Sequence, residues 1–416
     1  MSMSSANLGP HRHPAAADFH NEGGPVWLSA AAGLCASLVG LGLARFAYTP
    51  LIPALIAAKW FSPAEAVYLG AANLAGYLAG ALIARELGKR AGAVHALRGT
   101  MVLACLCAFA CSVPVSFIWF FGWRFLAGLS GGVIMVLAAS TILPHTAPSK
   151  RGFVGGVIFA GVGLGVAASG TLVPLLLQQG LTQSWYGLGL LSALLTLASW
   201  KAWPAETRAA EQTPASHARS RGQNRTIIRT LSVEYGLNAL ALVPHMVFLV
   251  DFVARGLGQG ISAGSHYWVL YGIGATIGPL LTGHLADRAG FGPALRVAFL
   301  VEAVAILLPA LSSAPVSMIV SSVIVGGFTP GIVPLVIGRI HELVPHDPHG
   351  QRAAWAQATT MFALFQAAAA YGLSYLFART GGDYAILFVI GAGAVTASLA
   401  IDLVTALIMG RETLKA

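Results

Sequence analysis

Long apolar runs separated by short polar clusters dominate the chain, and each run is about as long as a helix that crosses a bilayer. They lie near 27–49, 65–84, 99–115, 117–142, 153–177, 185–203, 231–253, 266–286, 294–311, 315–338, 353–377 and 384–408. A hydrocarbon core of ~30 Å takes about 20 helical residues to cross, so the pattern predicts an all-α membrane protein with about twelve transmembrane helices. The longest polar stretch, KAWPAETRAAEQTPASHARSRGQNRTIIRT (201–230), falls between the sixth and seventh runs. Its composition is that of a linker. It divides the chain into an amino-terminal half (26–203), a cytoplasmic linker (204–230) and a carboxy-terminal half (231–410), with tails at 1–25 and 411–416.

Composition strengthens this picture. Hydrophobic residues make up 56% of the 416 and charged residues 9%, where soluble domains carry about 25% charged residues. Mean hydropathy is +0.74. The net charge of +9 would suit a nucleic-acid partner, but the basic residues sit in clusters between apolar runs. Nineteen Lys and Arg fall on one side of the predicted membrane and three (Lys59, Arg255, Arg379) on the other. This bias predicts cytoplasmic termini and no nucleic-acid role. The first 25 residues lack the apolar core of a signal peptide and read as a cytoplasmic tail. Cys105, Cys107 and Cys111 share one apolar segment, with no disulfide framework.

The two halves carry related loops. GALIARELGKRAGAVHALR (80–98) follows the second span and GHLADRAGFGPALR (283–296) the eighth, and Gly80 aligns with Gly283, and Arg85 with Arg288, at an offset of 203. Gly283-His-Leu-Ala-Asp287-Arg288-Ala-Gly290 resembles the G-x-L-a-D-R-x-G loop of the major facilitator superfamily. The resemblance implies a cytoplasmic gate in which Asp287 and Arg288 pair with each other and with neighbouring helix ends. In the first-half copy Ala84 stands in place of the acid and an extra residue precedes Gly88. Arg124-Phe-Leu-Ala-Gly128 is similar to the superfamily's R-x-x-x-G element, whose arginine projects into the central cavity. GLGLARFAYTPLIPALI (40–56) and YGLNALALVPHMVFLVDFVARGLG (235–258) resemble the bacterial YbfB/YjiJ-type branch, across nearly all of 27–408. The likeness implies two six-helix halves around a midplane site, in a monomer of the bacterial inner membrane.

Several residues are candidates for that site. Arg45 is the only charge between Val26 and Ala58. At the centre of a membrane helix an arginine costs from ~3 to ~15 kcal/mol, so it marks function unless it snorkels to the interface. Tyr48 and Thr49, at i+3 and i+4, share its face. Arg124 lies about seven residues into its span. In the seventh span Glu234, Asn238 and His245 fall on one side of a helix, with Pro244 beside His245 as a kink. Substrate contacts are therefore expected from Arg45, Tyr48, Thr49, Arg124, Asn238 and His245. Proton-coupling candidates are Glu234, His245, Asp251 (four residues before Arg255) and Glu302, an acid in the middle of the ninth span. Asn73 and Tyr77 read as packing. His341, Glu342, His346, Asp347 and His349 lack the HExxH spacing, so no metal site is expected and they read as a solvated loop.

No GxxxxGK[ST] nucleotide loop occurs, and no cofactor is expected. Energy then comes from an ion or solute gradient. Arginines in the first half and titratable groups in the second predict a small organic anion as substrate, with protons loading the other half. Rival readings are an efflux pump for amphiphilic compounds and a non-transporting sensor or scaffold. No nucleophile–base or metal constellation suggests an enzyme.

Overall fold

Helices in this chain outrun their apolar segments. The computed structural model describes residues 26–147, 150–204, 222–345 and 347–413. Twelve long helices occur, and no strand among the described residues. They are α1 (Val26–Ala57), α2 (Pro63–Ala91), α3 (Ala93–Ala110), α4 (Phe117–Ile142), α5 (Arg151–Leu177) and α6 (Leu181–Ser199), followed by α7, which begins as Gly222–Val243 and continues through Pro244–Phe248, Leu249–Asp251 and Phe252–Gly256. Then come α8 (Gly260–Ala289), α9 (Phe291–Leu311), α10 (Pro315–Leu343), α11 (Pro348–Arg379) and α12 (Ala385–Thr413).

Eleven of these are long and apolar enough to cross a membrane. The exception is α6, whose first turn carries Thr182, Gln183 and Ser184; it still turns Leu190, Leu194 and Leu197 outward. Several helices extend past their apolar runs. Glu86 and Arg90 pair at 2.7 Å on the last turns of α2, beyond the predicted end at 84. Residues 222–230, assigned to the linker, are the first turns of α7; the tail 1–25 and residues 205–221 lie outside the described residues. Hydrophobicity measures only the stretch that meets lipid, whereas backbone hydrogen bonding carries a helix on into water.

Glycines set the spacing within each half. A Cβ at Gly76 would lie 1.9 Å from the Phe125 carbonyl oxygen, and one at Gly128 1.8 Å from that of Asn73, so α2 and α4 touch backbone to backbone. The second half repeats the device between α8 and α10, where Gly274 would meet Val323 O at 2.1 Å and Gly278 would meet Gly327 O at 2.0 Å. Such close approach replaces the hydrophobic drive that lipid does not provide.

The same geometry corrects the repeat alignment. Gly92 joins α2 to α3 at φ 84° and Gly290 joins α8 to α9 at φ 82°, a left-handed conformation that favours glycine. These two are the equivalent positions. Arg90-Ala91-Gly92 then matches Arg288-Ala289-Gly290, and Lys89 rather than Ala84 stands opposite Asp287. Gly80 is instead one of the α2–α4 packing glycines, 2.1 Å from Leu129 O by the same Cβ measure.

The halves meet along α5–α8 and α2–α11. On the first seam a Cβ at Gly272 would fall 2.3 Å from Ala167 N, and Trp268 donates to Ser169 Oγ at 3.0 Å. Through the centre run α1 and α7. Every residue from Phe46 to Leu55, and from 241 to 254, is buried. The end bearing Lys59 and Arg255 is thereby sealed, and Phe61 and Phe120 (centroids 4.8 Å apart) pack beside it. The opposite end carries Lys89, Arg90, Arg288 and Arg339 and is called the basic end below.

Candidate functional site

The centre of α1 is wound as a π-helix from Leu38 to Phe46. Pro50 lacks the N–H that would close on the Phe46 carbonyl, where the π-helical stretch ends, and π-helical bulges are common at functional positions. Arg45 sits in the bulge. Its Nη2 donates to Gln366 Oε1 of α11 at 2.7 Å and approaches Met246 Sδ of α7 at 3.9 Å. The guanidinium carbon lies 4.9 Å from the Tyr77 ring centroid and 5.1 Å from that of Phe46, while Nε is buried without a partner. Arg45 therefore reaches across from the first half to the second and does not snorkel.

Arg124 on α4 is buried and points into the same region. Its Nη1 donates to the Ala44 carbonyl at 2.7 Å, its guanidinium carbon sits 4.1 Å from the Tyr48 ring centroid, and Nε has no partner. The two arginines are thus joined through adjacent residues of the π-helical bulge. Neither forms an ion pair among the described residues. Arg45, Tyr48, Thr49, Asn73, Arg124 and Met246 border one cavity of about 20 Å³, room for a single water molecule. A solute fits there only when the helices part. Thr49 Oγ1 donates to the Met246 carbonyl at 2.6 Å, a second bond across the halves.

Four residues that the sequence pattern did not place at the cavity lie beside it. Gln366 is the only strongly polar side chain in MFALFQAAAAYGL (361–373), a signal as visible as that of Arg45. Met246 lies within Pro244–Phe248, the first π-helical turn of α7. Asn73 and Tyr77, read as packing residues, lie at the cavity and under Arg45.

The polar face of α7 turns the other way. Asn238 and His245 line neither this cavity nor a smaller one on the far side of Arg124. Asn238 Nδ2 donates to Glu302 Oε2 of α9 at 2.5 Å, which turns Glu302 inward and away from lipid. His245 Nε2 lies 2.7 Å from Ser321 Oγ of α10, and the ring packs edge-on against Phe388. In this structure both side chains, expected at the substrate, pack inside the second half instead: a helix has one face per direction, and the face of α7 that meets α1 carries Met246. Glu234 is buried nearer the basic end, within electrostatic range of Asp402, Arg339 and Arg296. Asp251 is engaged by Arg255 through two bonds of 2.5 Å and by the Tyr384 hydroxyl at 2.6 Å.

The expected gate contact does not form here. Asp287 and Arg288 are exposed on the last turn of α8 and have no ion pair among the described residues, Arg85 is exposed, and a Cβ at Gly283 would touch nothing. Other residues tie the basic end of the second half. Arg296 of α9 pairs with Asp402 of α12, Arg339 with Glu342 at 2.8 Å, and the Phe291 N–H donates to Glu342 Oε1 at 3.2 Å. Glu342, read as part of a solvated loop, belongs to the last turn of α10.

No curated protein matches this chain. Among solved structures it is similar to that of a point mutant of the nucleoside transporter NupG, with a TM-score of 0.70 at 14% identity over 91% of this chain and 99% of that one. That likeness establishes the fold, two halves of six helices each. A family model described as "Uncharacterised MFS-type transporter YbfB" matches residues 37–403. With that match over most of its length, the chain belongs to this family of major facilitator transporters, membrane proteins that move small molecules across a bilayer.

Proposed function

We propose that this chain is a secondary active transporter that carries a small organic anion by alternating access, coupled to protons, across the bacterial inner membrane. The observation that carries the reading is the pair of guanidinium groups, Arg45 and Arg124, on one central cavity, with no carboxylate among the described residues paired to either. Two positive charges at mid-membrane depth are costly unless something anionic visits them. Guanidinium groups suit carboxylate or phosphate groups by their planar fork. Arg45, Tyr48, Thr49 and Arg124 hold the solute, with Asn73 and Gln366 beside them. The basic end faces the cytoplasm by the positive-inside rule, so both termini are cytoplasmic and the sealed Lys59 end represents the outward-closed stage of the cycle. Asp287 and Arg288 are free at this stage to engage at another. The chain acts as a monomer.

The test is ligand-dependent thermal shift on detergent-purified protein, with small mono- and dicarboxylates beside hydrophobic cations. Carboxylates are expected to raise the melting temperature, and Arg45→Lys and Arg45→Gln to abolish most of the shift, because a lysine cannot reproduce the bidentate fork. Stabilisation by hydrophobic cations but not by carboxylates would replace this reading with an efflux pump for amphiphilic compounds. Full retention of the carboxylate shift in Arg45→Gln would remove Arg45 from the site.

A further inference from the structure

Among the described residues, the buried polar atoms of the second half that have no partner include Glu302 Oε1, Asn238 Oδ1 and His245 Nδ1. Their residues have no solvent exposure. All three lie on the side of α7 that faces α9 and α10, behind the helix as seen from the Arg45 cavity. Unsatisfied buried groups of this kind are destabilising, and an apolar contact in their place would pack better. Something other than stability accounts for them.

The surroundings of Glu302 narrow the ligand. Its only hydrogen bond among the described residues comes from a neutral amide, Asn238. From α8 the titratable group within electrostatic range is Tyr271. α10 has no titratable side chain before Arg339, and α12 has none before Asp402, which is paired with Arg296. α7 adds the buried Glu234, one turn before Asn238 on the same face and nearer Asp402, Arg339 and Arg296, and His245, two turns beyond Asn238. No cation touches the carboxylate, and a lone buried charge is expensive. The Arg45 cavity does not reach it. A proton is the ligand that removes the charge without needing room.

His245 is the next titratable group along this face, about 10 Å beyond Asn238. Ser321 Oγ donates its single hydrogen to the Ala305 carbonyl at 2.7 Å, so it accepts from His245 Nε2. The neutral ring then leaves Nδ1 with a free lone pair, the atom without a partner. Along α7 the order is Glu234 toward the basic end, then Asn238 with Glu302, then His245, then the Asp251–Tyr384 cluster at the sealed end.

We propose that Glu302, held by Asn238 at the α7–α9 contact, binds the coupling proton at a site separate from the solute cavity. α7 links the two sites. Met246, next to His245, takes the Thr49 bond on its carbonyl and meets Arg45 and Gln366 through its sulfur. Pro244 and the π-helical turn it opens, which contains Met246, provide the hinge between Asn238 and the α1 contact. Protonation of Glu302 alters the α7–α9 contact, solute alters the α1–α7 contact, and the helix registers both. The proposal rests on the proton-coupled reading above, but its protonation test needs no solute.

Infrared difference spectroscopy of the full-length protein reconstituted in membranes, titrated with pH, reads buried carboxyl groups directly. A protonated-carboxyl band is expected to titrate in the wild type, to vanish in Glu302→Gln, and to shift in frequency in Asn238→Leu, which leaves the acid but removes its hydrogen bond. An unchanged band in Glu302→Gln overturns the proposal, and should that variant not fold, an unshifted band in Asn238→Leu overturns it. Coupling is read by maleimide labelling of Ala54→Cys at the sealed end. Labelling is expected to vary with pH in the wild-type background and to lose that dependence in Glu302→Gln; dependence retained there overturns the separate proton site. Failure of the anion reading has its own signature: the carboxyl band behaves as expected, while no carboxylate shifts the melting temperature.

Discussion

Exchanging Gln366 for glutamate tests whether Arg45 is held ready for an anion. Gln366 is buried on α11, and its Oε1 is the only oxygen that the Arg45 guanidinium meets among the described residues, at 2.7 Å. A neutral acceptor on a charged donor contributes about 1.5–3 kcal/mol, weak enough for an incoming carboxylate to displace. Gln366→Glu is nearly isosteric and puts a carboxylate in the same place. Two unit charges roughly 4 Å apart attract by about 4 kcal/mol at an effective dielectric of 20. Keeping the new charge from water costs several kcal/mol, less where Arg45 is only half-buried, so the net gain of the closed pair is about 1–2 kcal/mol. At tenfold per 1.4 kcal/mol, carboxylate affinity should fall by about 5- to 30-fold. Gln366→Leu has the opposite sign: the empty protein loses the bond and melts earlier, but an anion no longer competes with the amide and binds at least as tightly. Titration calorimetry and thermal shift against a series of small carboxylates measure both effects. Equal loss of affinity in the two variants, or undiminished binding by Gln366→Glu, would refute the reasoning and leave Gln366 as a packing residue.

Gly128→Ala should destabilise by about 1–3 kcal/mol, because its Cβ would meet the Asn73 carbonyl at 1.8 Å and force α2 from α4, whereas Gly155→Ala, with nothing within 4 Å, should be close to neutral. Unfolding midpoints in detergent compare the pair; similar values would contradict the backbone contact. Tyr384→Phe removes one hydroxyl from an Asp251–Arg255 pair that stays intact and should cost about 1 kcal/mol. Asp251→Asn breaks the pair and should cost more in the same assay, and the reverse order would show that the hydroxyl, not the ion pair, holds this end together.

Length and composition alone determined how many helices this chain makes and that they cross a membrane, because a stretch of about 20 apolar residues has few other stable environments. They also exposed Arg45, since one charge in a run from Val26 to Ala58 is conspicuous whatever the fold. The pattern could not say which way each helix turns. Where lipid and protein interior are both apolar, the periodicity that separates inside from outside in a soluble helix largely disappears. Hence the pattern places Asn238 and His245 at the cavity although they face α9 and α10, and reads Asn73 and Tyr77 as packing although they adjoin the arginines. The register of the repeat was equally out of reach: two arginine-and-glycine loops align at more than one offset, and only the left-handed glycines at the α2–α3 and α8–α9 junctions select the one that pairs Gly92 with Gly290. Gln366 meets Arg45 across 321 positions of sequence. Contacts between the halves depend on how α1, α7 and α11 are brought together at the pseudo-symmetry axis, which is a property of packing and is written in no single segment.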